Sequence, residues 1–416
     1  MSKFEKVRGM HNVSLEEANL WSHVSKFSES LLKSFSYSEI RLPIVEYTDL
    51  FKRSVGNETD IVNKEMFTFE SKSDKSLTLR PEGTAGCMRA SINQGLLDSG
   101  PQRLFYSGPM YRYERPQKGR NREFFQLSAE IYGIDSVYAE IELFQIIEKI
   151  IKNYKIDDSR LEINSLGSED DQIKFSIALQ DYLKPLKNQL DKDSQNRLKK
   201  NPLRILDSKS SETQKVLKNA PKIAQFRSDD SKNKYELLKN LLDEFEIAYE
   251  ENENLVRGLD YYNDSVFEWK SDSLGSQNTF CAGGRYDSLS KKLGGRSTPA
   301  VGVSLGLDRL IIACKDKFSI THPKQIAVII LDDKFLAYGN NISEKIRASF
   351  PDFEVRYSGL DTNLKTQLKR ANKNNFNLAI ILGREEVESK TYTIKDLDSG
   401  NNYEKLSLEN LISFLN

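Results

Sequence analysis

The spacing of apolar residues divides the first part of the chain into helices and strands. Residues 15–35 carry apolar positions at helical spacing, and Ser14, with Glu17 three positions later, is typical of a capped helix start. Over residues 65–131 apolar and polar residues alternate in short stretches, which predicts antiparallel strands. Residues 137–154, VYAEIELFQIIEKIIKNY, return to helical spacing and predict an amphipathic helix.

The pattern changes again in the second half of the chain. From about residue 169 to 245 the sequence is polar and helix-like, and we interpret this stretch as a helical insertion. Strand character resumes at VRGLDYYNDSVFEW (residues 256–269) and continues through CAGGRYDSLSKKLGG (residues 281–295). We interpret VSLGLDRLIIACK (residues 303–315) as a helix that closes a first domain.

Strands and helices alternate after Thr321-His322-Pro323. From residue 325 onward, the strand-like segments IAVIIL, FEVRYS and NLAIILG are separated by helix-like ones such as LKTQLKRANK. A unit of about 90 residues lies within the usual size of a domain. The pattern therefore predicts two domains, residues 1–324, which include the insertion, and residues 325–416.

One predicted strand, REFFQLSAEIYG (residues 122–133), has an unusual polar face. Its alternation places an apolar set on one face and Phe124, Gln126, Ser128 and Glu130 on the other. The segment reads as a central strand, so an amide, a hydroxyl and a carboxylate on one face need an explanation that the pattern alone does not supply.

Composition limits the protein class. The chain has 416 residues, too many for one ordinary core, with 29% charged and 38% hydrophobic residues, as in a globular protein. Its 61 Lys and Arg balance 61 Asp and Glu, so any nucleic acid must be bound through local basic patches.

The cysteines and apolar stretches exclude several other classes. Cys87, Cys281 and Cys314 are far apart and form no CxxC, which argues against a zinc site or a disulfide framework and indicates a reducing compartment. The chain begins without a signal-peptide pattern, and its longest apolar runs are too short to cross a membrane. We therefore expect a soluble, cytoplasmic protein with no membrane partner.

Two segments carry candidate chemistry near the polar strand. LTLRPEGTAGCMRA (residues 77–90) places Arg80, Glu82 and Thr84 on a turn between a strand and a helix, although the same residues also fit a turn in which Thr84 caps the helix. The second segment, GPMYRYERPQKGRNREFFQLSAE (residues 108–130), predicts two strands joined by a basic loop.

In that second segment, we expect Arg112 and Glu114 to share a strand face, while Arg120 lies in the loop. A basic loop is usually a solvated tip, but a guanidinium buried within a strand is costly unless it is paired. A polyphosphate along the sheet would supply bidentate, charge-assisted contacts.

Three later segments add candidates. LVRGLDYYNDSVFEW (residues 255–269) contains Arg257, Tyr261 and Tyr262; CAGGRYDSL (residues 281–289) has a glycine pair that allows close backbone approach; and PAVGVSLGLDRL (residues 299–310) leads to Arg309. Each also fits an ordinary packed turn or helix start.

Taken together, the ordered motifs resemble the histidyl-tRNA synthetase family of class II aminoacyl-tRNA synthetases. YSEIRLPIVEYTDLFKRSVG (residues 37–56) resembles the dimer-forming first class II motif, and the segments around Arg112 and Arg309 resemble the second and third. LVRGLDYY and CAGGRYD resemble two signatures of the histidine enzymes. The resemblance implies an α+β fold: an antiparallel class II sheet flanked by helices, a helical insertion, and a C-terminal α/β anticodon-binding domain.

The resemblance also implies a role for each matching residue. Arg112, Arg257 and Arg309 correspond to catalytic arginines. Arg112 binds the ATP α-phosphate, and Arg309 contacts ATP from the opposite side. Arg257 contacts the α-phosphate and the carboxylate region of the substrate. The remaining ATP-binding positions are Glu114, Arg120 near the terminal phosphates, and Phe124 stacking on adenine. The histidine-binding positions are Glu82, Gly83, Thr84, Arg112, Gln126, Glu130, Arg257, Tyr261 and Tyr262.

The implied activity is that of a histidine–tRNA ligase. Its substrates are L-histidine, ATP with Mg²⁺, and tRNA(His), in a homodimer with no metal site made by the protein. The three histidines, His11, His23 and His322, lie outside the motifs. Motif 3 departs from the family pattern because Asp308 stands where Glu is usual.

The C-terminal domain is not basic overall, with 12 Lys and Arg against 13 Asp and Glu from residue 325 onward. Lys365, Lys369, Arg370 and Lys373 fall on one predicted helix, a patch that suits phosphates and equally fits a solvated face. The alternatives to the ligase are a non-catalytic synthetase-like regulatory subunit of histidine biosynthesis, a threonyl or prolyl enzyme, and a nucleotide-binding module without turnover.

Overall fold

The structure is a computed structural model that describes residues 4–56, 59–275, 277–317, 323–357 and 363–416. The chain forms two compact units, Met1–Ile320 and Thr321–Asn416. The change of pattern expected at Thr321 and His322 falls on residues outside the described ones.

An eight-stranded sheet dominates the described part of the first unit. Its spatial order is β1-β5-β6-β11-β10-β9-β7-β8, and neighbours pair antiparallel except at the edges, where β1 with β5 and β7 with β8 are parallel. The strands of this unit are β1 (Ser38–Glu39), β2 (Val45–Tyr47), β3 (Phe67–Glu70), β4 (Ser76–Leu79), β5 (Gln102–Tyr111), β6 (Glu123–Tyr132), β7 (Ser159–Ser165), β8 (Tyr249–Glu251), β9 (Asn263–Ser271), β10 (Thr279–Arg285) and β11 (Ala300–Gly306).

The predicted central strand is confirmed as β6. It pairs with β5 from Tyr132 to Glu123 and with β11 from Tyr132 to Gln126, so both of its edges are hydrogen-bonded. Its apolar face packs into the core, where Leu127, Ala129 and Ile131 are buried. The polar face therefore lies in the middle of the sheet and not at a solvated edge.

Helices cover the sheet and extend from it. The helix α1 (Leu15–Ser34) begins as predicted, because the Ser14 side chain accepts a hydrogen bond from the backbone N–H of Glu17 at 3.2 Å. The other helices of this unit are α2 (Thr48–Val55), α3 (Thr84–Asn93), α4 (Tyr138–Asn153), α5 (Glu169–Leu183), α6 (Lys192–Lys200), α7 (Ser211–Leu217), α8 (Asp229–Glu244), α9 (Leu289–Lys292) and α10 (Leu307–Cys314). The helices α5 to α8 form the expected helical insertion.

One strand prediction and one helix prediction were too long. Residues 256–262 form turns, and regular pairing begins only at Asn263. VSLG belongs to β11, and the helix α10 starts at Leu307. The apolar pattern is similar in a buried strand and a buried helix, so periodicity alone could not separate them.

The second unit is a smaller α/β fold. In its described residues, a five-stranded sheet has the order β13-β12-β14-β15-β16, with the first three strands parallel and the last two antiparallel. The elements are β12 (Gln325–Ile330), α11 (Leu336–Ser349), β13 (Glu354–Tyr357), α12 (Leu364–Lys373), β14 (Leu378–Leu382), α13 (Arg384–Ser389), β15 (Tyr392–Asp396), β16 (Asn402–Leu406) and α14 (Leu408–Leu415).

The apolar run IAVIIL is confirmed as a buried strand except at its last residue: Ile326 to Ile330 are at most 1% exposed, whereas Leu331 follows the end of β12 and is 43% exposed. Among the described residues, helices that combine the length and the apolar character needed to cross a membrane do not occur.

Candidate active site

A cleft of about 260 Å³ opens on the polar face of the central sheet. Arg112 and Arg120 reach it from the segment between β5 and β6, Arg257 from the turns before β9, and Arg309 from α10. Its floor includes Phe124 and other side chains of β6, β10 and β11. Arginines from distant parts of the sequence therefore meet in one cavity.

Arg112 is held by backbone and by an aromatic ring. Its Nε donates a hydrogen bond to the carbonyl of Pro81 at 2.9 Å, and its guanidinium lies 5.2 Å from the ring centroid of Phe124. Burial lowers the pKa of Arg112, while the charges of Glu65 and Glu82 oppose that effect. The prediction that Arg112 and Glu114 lie within a strand was wrong, because β5 ends at Tyr111, although the backbone N–H of Arg112 still donates to the carbonyl of Arg122 at 2.9 Å.

Arg309 is also oriented by carbonyl groups. Its Nε donates to the carbonyl of Gly119 at 2.8 Å, and Nη1 donates to the carbonyl of Thr279. Burial, with the nearby charges of Arg120 and Arg112, lowers the pKa of Arg309 to about 10. Carbonyl partners orient the side chain without neutralising it, so its charge remains available in the cleft.

The other two arginines of the cleft have carboxylate partners. Arg120 forms an ion pair with Glu114, and its Nη1 lies 3.4 Å from Oε1 of Gln277. Arg257 forms an ion pair with Glu268, whose other oxygen accepts a hydrogen bond from Oγ1 of Thr279 at 2.9 Å. The Nε of Arg257 is buried and has no hydrogen-bond partner among the described residues. These pairs fix both guanidinium groups at the cleft wall.

Asp308, the departure in motif 3, has a structural contact. Its carboxylate accepts a hydrogen bond from the backbone N–H of Phe125 at 2.6 Å and so ties the start of α10 to β6. Burial raises the pKa of Asp308. The shorter carboxylate leaves Arg309 directed into the cleft.

Glu82 lies beneath the cleft at the start of α3. Its carboxylate accepts hydrogen bonds from the backbone N–H groups of Thr84 at 2.7 Å and Ala85 at 3.0 Å, and the Tyr261 hydroxyl lies 3.5 Å away. The alternative in which Thr84 caps this helix was wrong, because Thr84 is its first residue and Glu82 satisfies the free N–H groups. Burial raises the pKa of Glu82 although these contacts lower it.

Glu130 supplies the carboxylate of the polar strand face and is only 1% exposed. It accepts hydrogen bonds from the hydroxyls of Thr84 and Tyr106, each at 2.9 Å, and from that of Tyr286. Burial raises the pKa of Glu130 to about 8, and the hydroxyl contacts act in the opposite direction.

The predicted histidine-binding residues divide into two groups. Arg112, Gln126 and Arg257 line the cleft. The rest lie below it as a buried cluster and do not belong to the cleft lining: Glu82, Gly83, Thr84, Glu130, Tyr261 and Tyr262. Tyr261 and Tyr262 pack against each other with ring centroids 4.6 Å apart.

The sequence did not single out Glu268, Tyr106 or Tyr286 as site residues. Tyr286 lies within the CAGGRYD motif, and Glu268 is a charged residue in the otherwise largely apolar segment SVFEW. The sequence therefore contained evidence that could have pointed to both residues. Tyr106 left none, because an aromatic residue in a strand is ordinary core. Its role becomes visible only when β5 pairs with β6.

A second cavity of about 570 Å³ adjoins the cleft and shares Arg112, Glu114, Arg120, Arg257 and Glu268 with it. Its other wall comes from the insertion, including Arg197 and Arg204. The insertion is joined to the rest of the unit by an ion pair between Arg197 and Asp60 at 2.5 Å and by a hydrogen bond from Asn201 to Asp260 at 2.8 Å.

The histidines lie away from the cleft lining where they are described. His11 is exposed, with Nδ1 2.9 Å from Nζ of Lys6, and the His23 ring lies 6.1 Å from that of Tyr154. His322 lies outside the described residues. Within those residues, no group of three or more His, Cys, Asp or Glu is placed to hold a metal ion.

Comparison with known proteins agrees with this geometry. The family model for histidyl-tRNA synthetase matches residues 9–310, and the model for an anticodon binding domain matches residues 325–416. A histidine–tRNA ligase from Buchnera aphidicola is 43% identical over 405 residues, covering 96% of this chain and 95% of that protein. A histidine–tRNA ligase from Francisella philomiragia is 42% identical over 419 aligned residues, covering 100% of this chain and 99% of that protein.

Solved structures extend the comparison to three dimensions. The crystal structure of an S. aureus histidyl-tRNA synthetase has a TM-score of 0.81 at 30% identity and covers 99% of both chains. A Bacillus halodurans protein described as an ATP phosphoribosyltransferase regulatory subunit/histidyl-tRNA synthetase has a TM-score of 0.65 at 20% identity, covering 92% of this chain and 98% of its own, and shows the fold alone. With a family model spanning residues 9–310 and full-length relatives 42–43% identical, this chain belongs to the histidyl-tRNA synthetase family.

Proposed function

We propose that this cleft carries out the histidine–tRNA ligase reaction of the family to which the chain belongs. ATP and L-histidine form histidyl-adenylate and pyrophosphate, and histidine then passes to the 3′ end of tRNA(His). The observation that carries the proposal is the meeting of three arginines in one cleft above two buried carboxylates. Arg112, Arg257 and Arg309 surround the cleft, and the carboxylates of Glu82 and Glu130 lie buried beneath it.

ATP fits the arginine side of the cleft. Adenine stacks on Phe124, the α-phosphate lies between Arg112 and Arg257, and Arg309 covers the nucleotide from the opposite side. Arg120 turns from Glu114 toward the terminal phosphates. Guanidinium groups already oriented by carbonyl oxygens support this assignment, because they need little reorganisation to bind an anion.

Histidine binds toward the carboxylates. Its α-amino group lies near Glu82, Gly83, Thr84 and Gln126, and its ring lies toward Glu130 with Tyr261 and Tyr262 beside it. A site that recognises a polar ring through buried hydrogen bonds rejects analogues without that group by about 10⁴–10⁵. Selection of histidine therefore needs no editing site.

Activation is an in-line displacement at the α-phosphorus. A carboxylate oxygen of histidine forms the new P–O bond, the bond to the bridging oxygen breaks, and pyrophosphate leaves with the electron pair. The protein positions the reactants and stabilises the charge that develops on phosphate oxygens. The cleft suits this task, since arginines from separate segments converge there.

Transfer to tRNA needs an acceptor for the proton of the attacking hydroxyl. The described histidines lie away from the cleft lining, so we infer that a phosphate oxygen of the adenylate accepts it. A variant that loses transfer but retains adenylate formation, through removal of one ionisable side chain, would contradict this inference.

Mg²⁺ enters with ATP. The ion commonly keeps several waters and binds through substrate phosphates with one or two carboxylates, and Glu114 and Glu268 line the cleft. It would neutralise charge on the β- and γ-phosphates, while Arg112 and Arg257 serve the α-phosphate.

The partners follow from the same assignment. We infer that the insertion contacts the acceptor arm of tRNA(His) and that residues 325–416 bind its anticodon. A homodimer is supported by exposed apolar side chains in the first class II motif: Ile44 is 41%, Val45 40% and Tyr47 55% exposed. Buried free thiols at Cys87, Cys281 and Cys314 suit the cytoplasm.

Pyrophosphate exchange into ATP, measured with each of the twenty amino acids, tests the activity. Histidine alone should support exchange. Exchange with threonine or proline would identify another class II enzyme, and no exchange with any amino acid would favour the non-catalytic regulatory subunit.

A further inference from the structure

Arg257 is held differently from the other two arginines of the proposed ATP site. Arg112 and Arg309 are oriented by backbone carbonyls, whereas Nη1 of Arg257 donates to Oε1 of Glu268 in an ion pair. Both partners are largely enclosed, with side chains 17% and 15% exposed. Burial alone would lower the pKa of Arg257, but its neighbours, Glu268 first among them, outweigh burial and raise that pKa. Glu268 therefore stabilises the charged form of a guanidinium that is mostly out of water.

Glu268 leaves part of the Arg257 guanidinium unused. It engages Nη1, while Nε is buried and has no hydrogen-bond partner among the described residues. Arg257 belongs to the lining of the cleft. Buried donors are normally paired, so an unpaired one in the wall of a cleft fits a site whose ligand supplies the acceptor. An oxygen of a bound phosphate would satisfy Nε.

The carboxylate of Glu268 is fixed through its other oxygen. Oε2 accepts a hydrogen bond from Oγ1 of Thr279 at 2.9 Å, and Nζ of Lys270 lies 3.7 Å from the same oxygen. Lys270 also pairs at 2.7 Å with Glu162, which lies directly opposite Glu268 on β7. Carboxylates that face each other across two strands repel, and a lysine between them offsets the repulsion. The sheet thus occupies one oxygen of Glu268, and the other is directed to Arg257.

An irregularity in β10 brings Thr279 to this position. Between Thr279 and Cys281 the register with β9 shifts by one residue. Such a shift moves a side chain to the other face of a sheet, and bulges of this kind often redirect a side chain beside an active site. Two consecutive residues, Phe280 and Cys281, therefore belong to the hydrophobic core, and Thr279 lies on the face that carries Glu268.

Thr279 also contacts Arg309. Its carbonyl accepts a hydrogen bond from Nη1 of Arg309, while its hydroxyl donates to Glu268. A single residue at the start of β10 therefore joins two arginines of the cleft, one through its carbonyl and the other through Glu268. The position of Arg257 relative to Arg309 depends on this bridge.

We propose that Glu268 and Thr279 are positioning residues that hold Arg257 against the α-phosphate of ATP. The inference rests on the proposed function and deepens it, because it names the groups that orient one of the three arginines. Glu268 acts through Arg257, and Thr279 acts through Glu268.

The test measures histidine-dependent pyrophosphate exchange by the full chain and by three variants, Glu268→Gln, Thr279→Val and Thr279→Ser. Thr279→Val removes the hydroxyl but keeps the shape of the side chain and the carbonyl that holds Arg309. Thr279→Ser restores the hydroxyl. The matched control is Glu162→Gln, because Glu162 faces Glu268, shares Lys270 with it and is similarly enclosed at 11% exposure, but does not belong to the cleft lining.

We expect Glu268→Gln to lower kcat about 10–30-fold and Thr279→Val about three- to tenfold. Charge develops on the α-phosphate in the transition state, so a misplaced Arg257 affects the chemical step more than substrate binding. The KM values for ATP and histidine should therefore change less than about threefold. Thr279→Ser and Glu162→Gln should match the parent.

A double-mutant cycle shows whether Glu268 acts through Arg257. Arg257→Ala alone should lower kcat about 10²–10³-fold. In that background Glu268→Gln should cause no further loss, because the residue that it orients is already absent. Equal losses from Glu268→Gln with and without Arg257 would overturn the inference.

The inference would also fail if Glu268→Gln and Thr279→Val both kept the parental kcat, or if Glu162→Gln lost as much as they did. A Glu268→Gln defect that disappears when Mg²⁺ is raised would show that this carboxylate serves the ion instead of Arg257, and would overturn the inference too. Thermal melting identifies a variant that fails to fold, and the remaining variant then decides. If the parent shows no histidine-dependent exchange, the proposed function fails; if the parent is active and both variants match it, only this inference fails.

Discussion

Side chains of opposite charge lie at the two ends of the site on the polar face of β6, and neutral groups orient both. At the cleft, Arg112 and Arg309 are oriented by backbone carbonyls, which fix their geometry and leave their positive charge unneutralised. Beneath it, Glu82 and Glu130 are oriented by N–H and hydroxyl donors and, in the described part of the chain, neither forms an ion pair. The charge of Arg112 opposes the rise in the pKa of Glu82 that burial causes. Neutral hydrogen-bonding partners, and not ion pairs, therefore orient these four side chains.

This difference suits the two ends of histidyl-adenylate, the ligand that we propose for this site. A triphosphate needs positive charge, which Arg112 and Arg309 offer without an ion pair among the described residues, and a histidine amine and ring need acceptors. Neutral donors and acceptors can fix a charged side chain without neutralising it, so the charge is kept for the substrate. The arrangement costs folding free energy, since burial shifts each pKa toward the neutral form of its group.

The largest effect should come from the arginine end. Arg112→Ala removes a guanidinium whose charge is not cancelled by an ion pair, and we expect kcat/KM for exchange to fall about 10²–10³-fold. Steady-state pyrophosphate exchange measures it. Arg115→Ala and Lys118→Ala, at exposed positions of the same loop, serve as controls and should stay near the parent.

If those loop variants lost as much activity as Arg112→Ala, the cleft would have no special role. The contrast between buried and exposed cations would then disappear.

Glu130→Gln tests the other end. The amide keeps the size of the side chain but loses the acceptor-only character of a carboxylate, so we expect the KM for histidine to rise about 10–100-fold. The KM for ATP should change less than about threefold. An equal rise in the KM values for histidine and ATP would show that the carboxylates and the arginines do not act separately.

A basic patch in the second unit should affect only the tRNA step. Replacing Lys365, Lys369 and Lys373 on α12 by alanine should raise the KM for tRNA about three- to tenfold, because each exposed lysine can neutralise a phosphate. Exchange, which needs no tRNA, should be unchanged. A fall in exchange would mean that the substitutions damage the first unit.

The smallest effect concerns stability. The pKa of Glu130 is raised in the folded state, so its contribution is fully present below the pKa of the unfolded chain and is lost as pH rises through about 8. Glu130→Gln cannot titrate, and its Tm should therefore fall less between pH 6 and 9 than that of the parent, by about 2 °C or more. Parallel curves for the two proteins in calorimetry would contradict this.

Much of the fold followed from the sequence pattern, and the meeting of the arginines followed from the resemblance to the family. The family and the fold class are confirmed by the family model, the relatives and the structures. Arg112 could be singled out because a charged residue in a strand-like segment breaks the apolar pattern, whereas the role of Arg309 came from the resemblance to the family. Specific residue roles remain proposals.

The rest depends on tertiary pairing. From the sequence alone, Tyr106 is an ordinary core residue, and its contact with Glu130 depends on the pairing of β5 with β6. The ion pair of Glu268 likewise depends on the turn before β9 that places Arg257 beside it. The strand boundaries at Tyr111 and Asn263 depend on where pairing with the neighbouring strand stops or starts. The alternation of apolar and polar residues does not show this.

The most direct test is a crystal structure with a non-hydrolysable histidyl-adenylate analogue, a sulfamoyl adenosine carrying histidine. We predict that its ring lies against Glu130, its sulfamoyl group between Arg112 and Arg257, and its adenine on Phe124. An analogue bound in the reverse direction, or with its ring outside hydrogen-bonding reach of Glu130, would contradict the separation of charge on which the account depends.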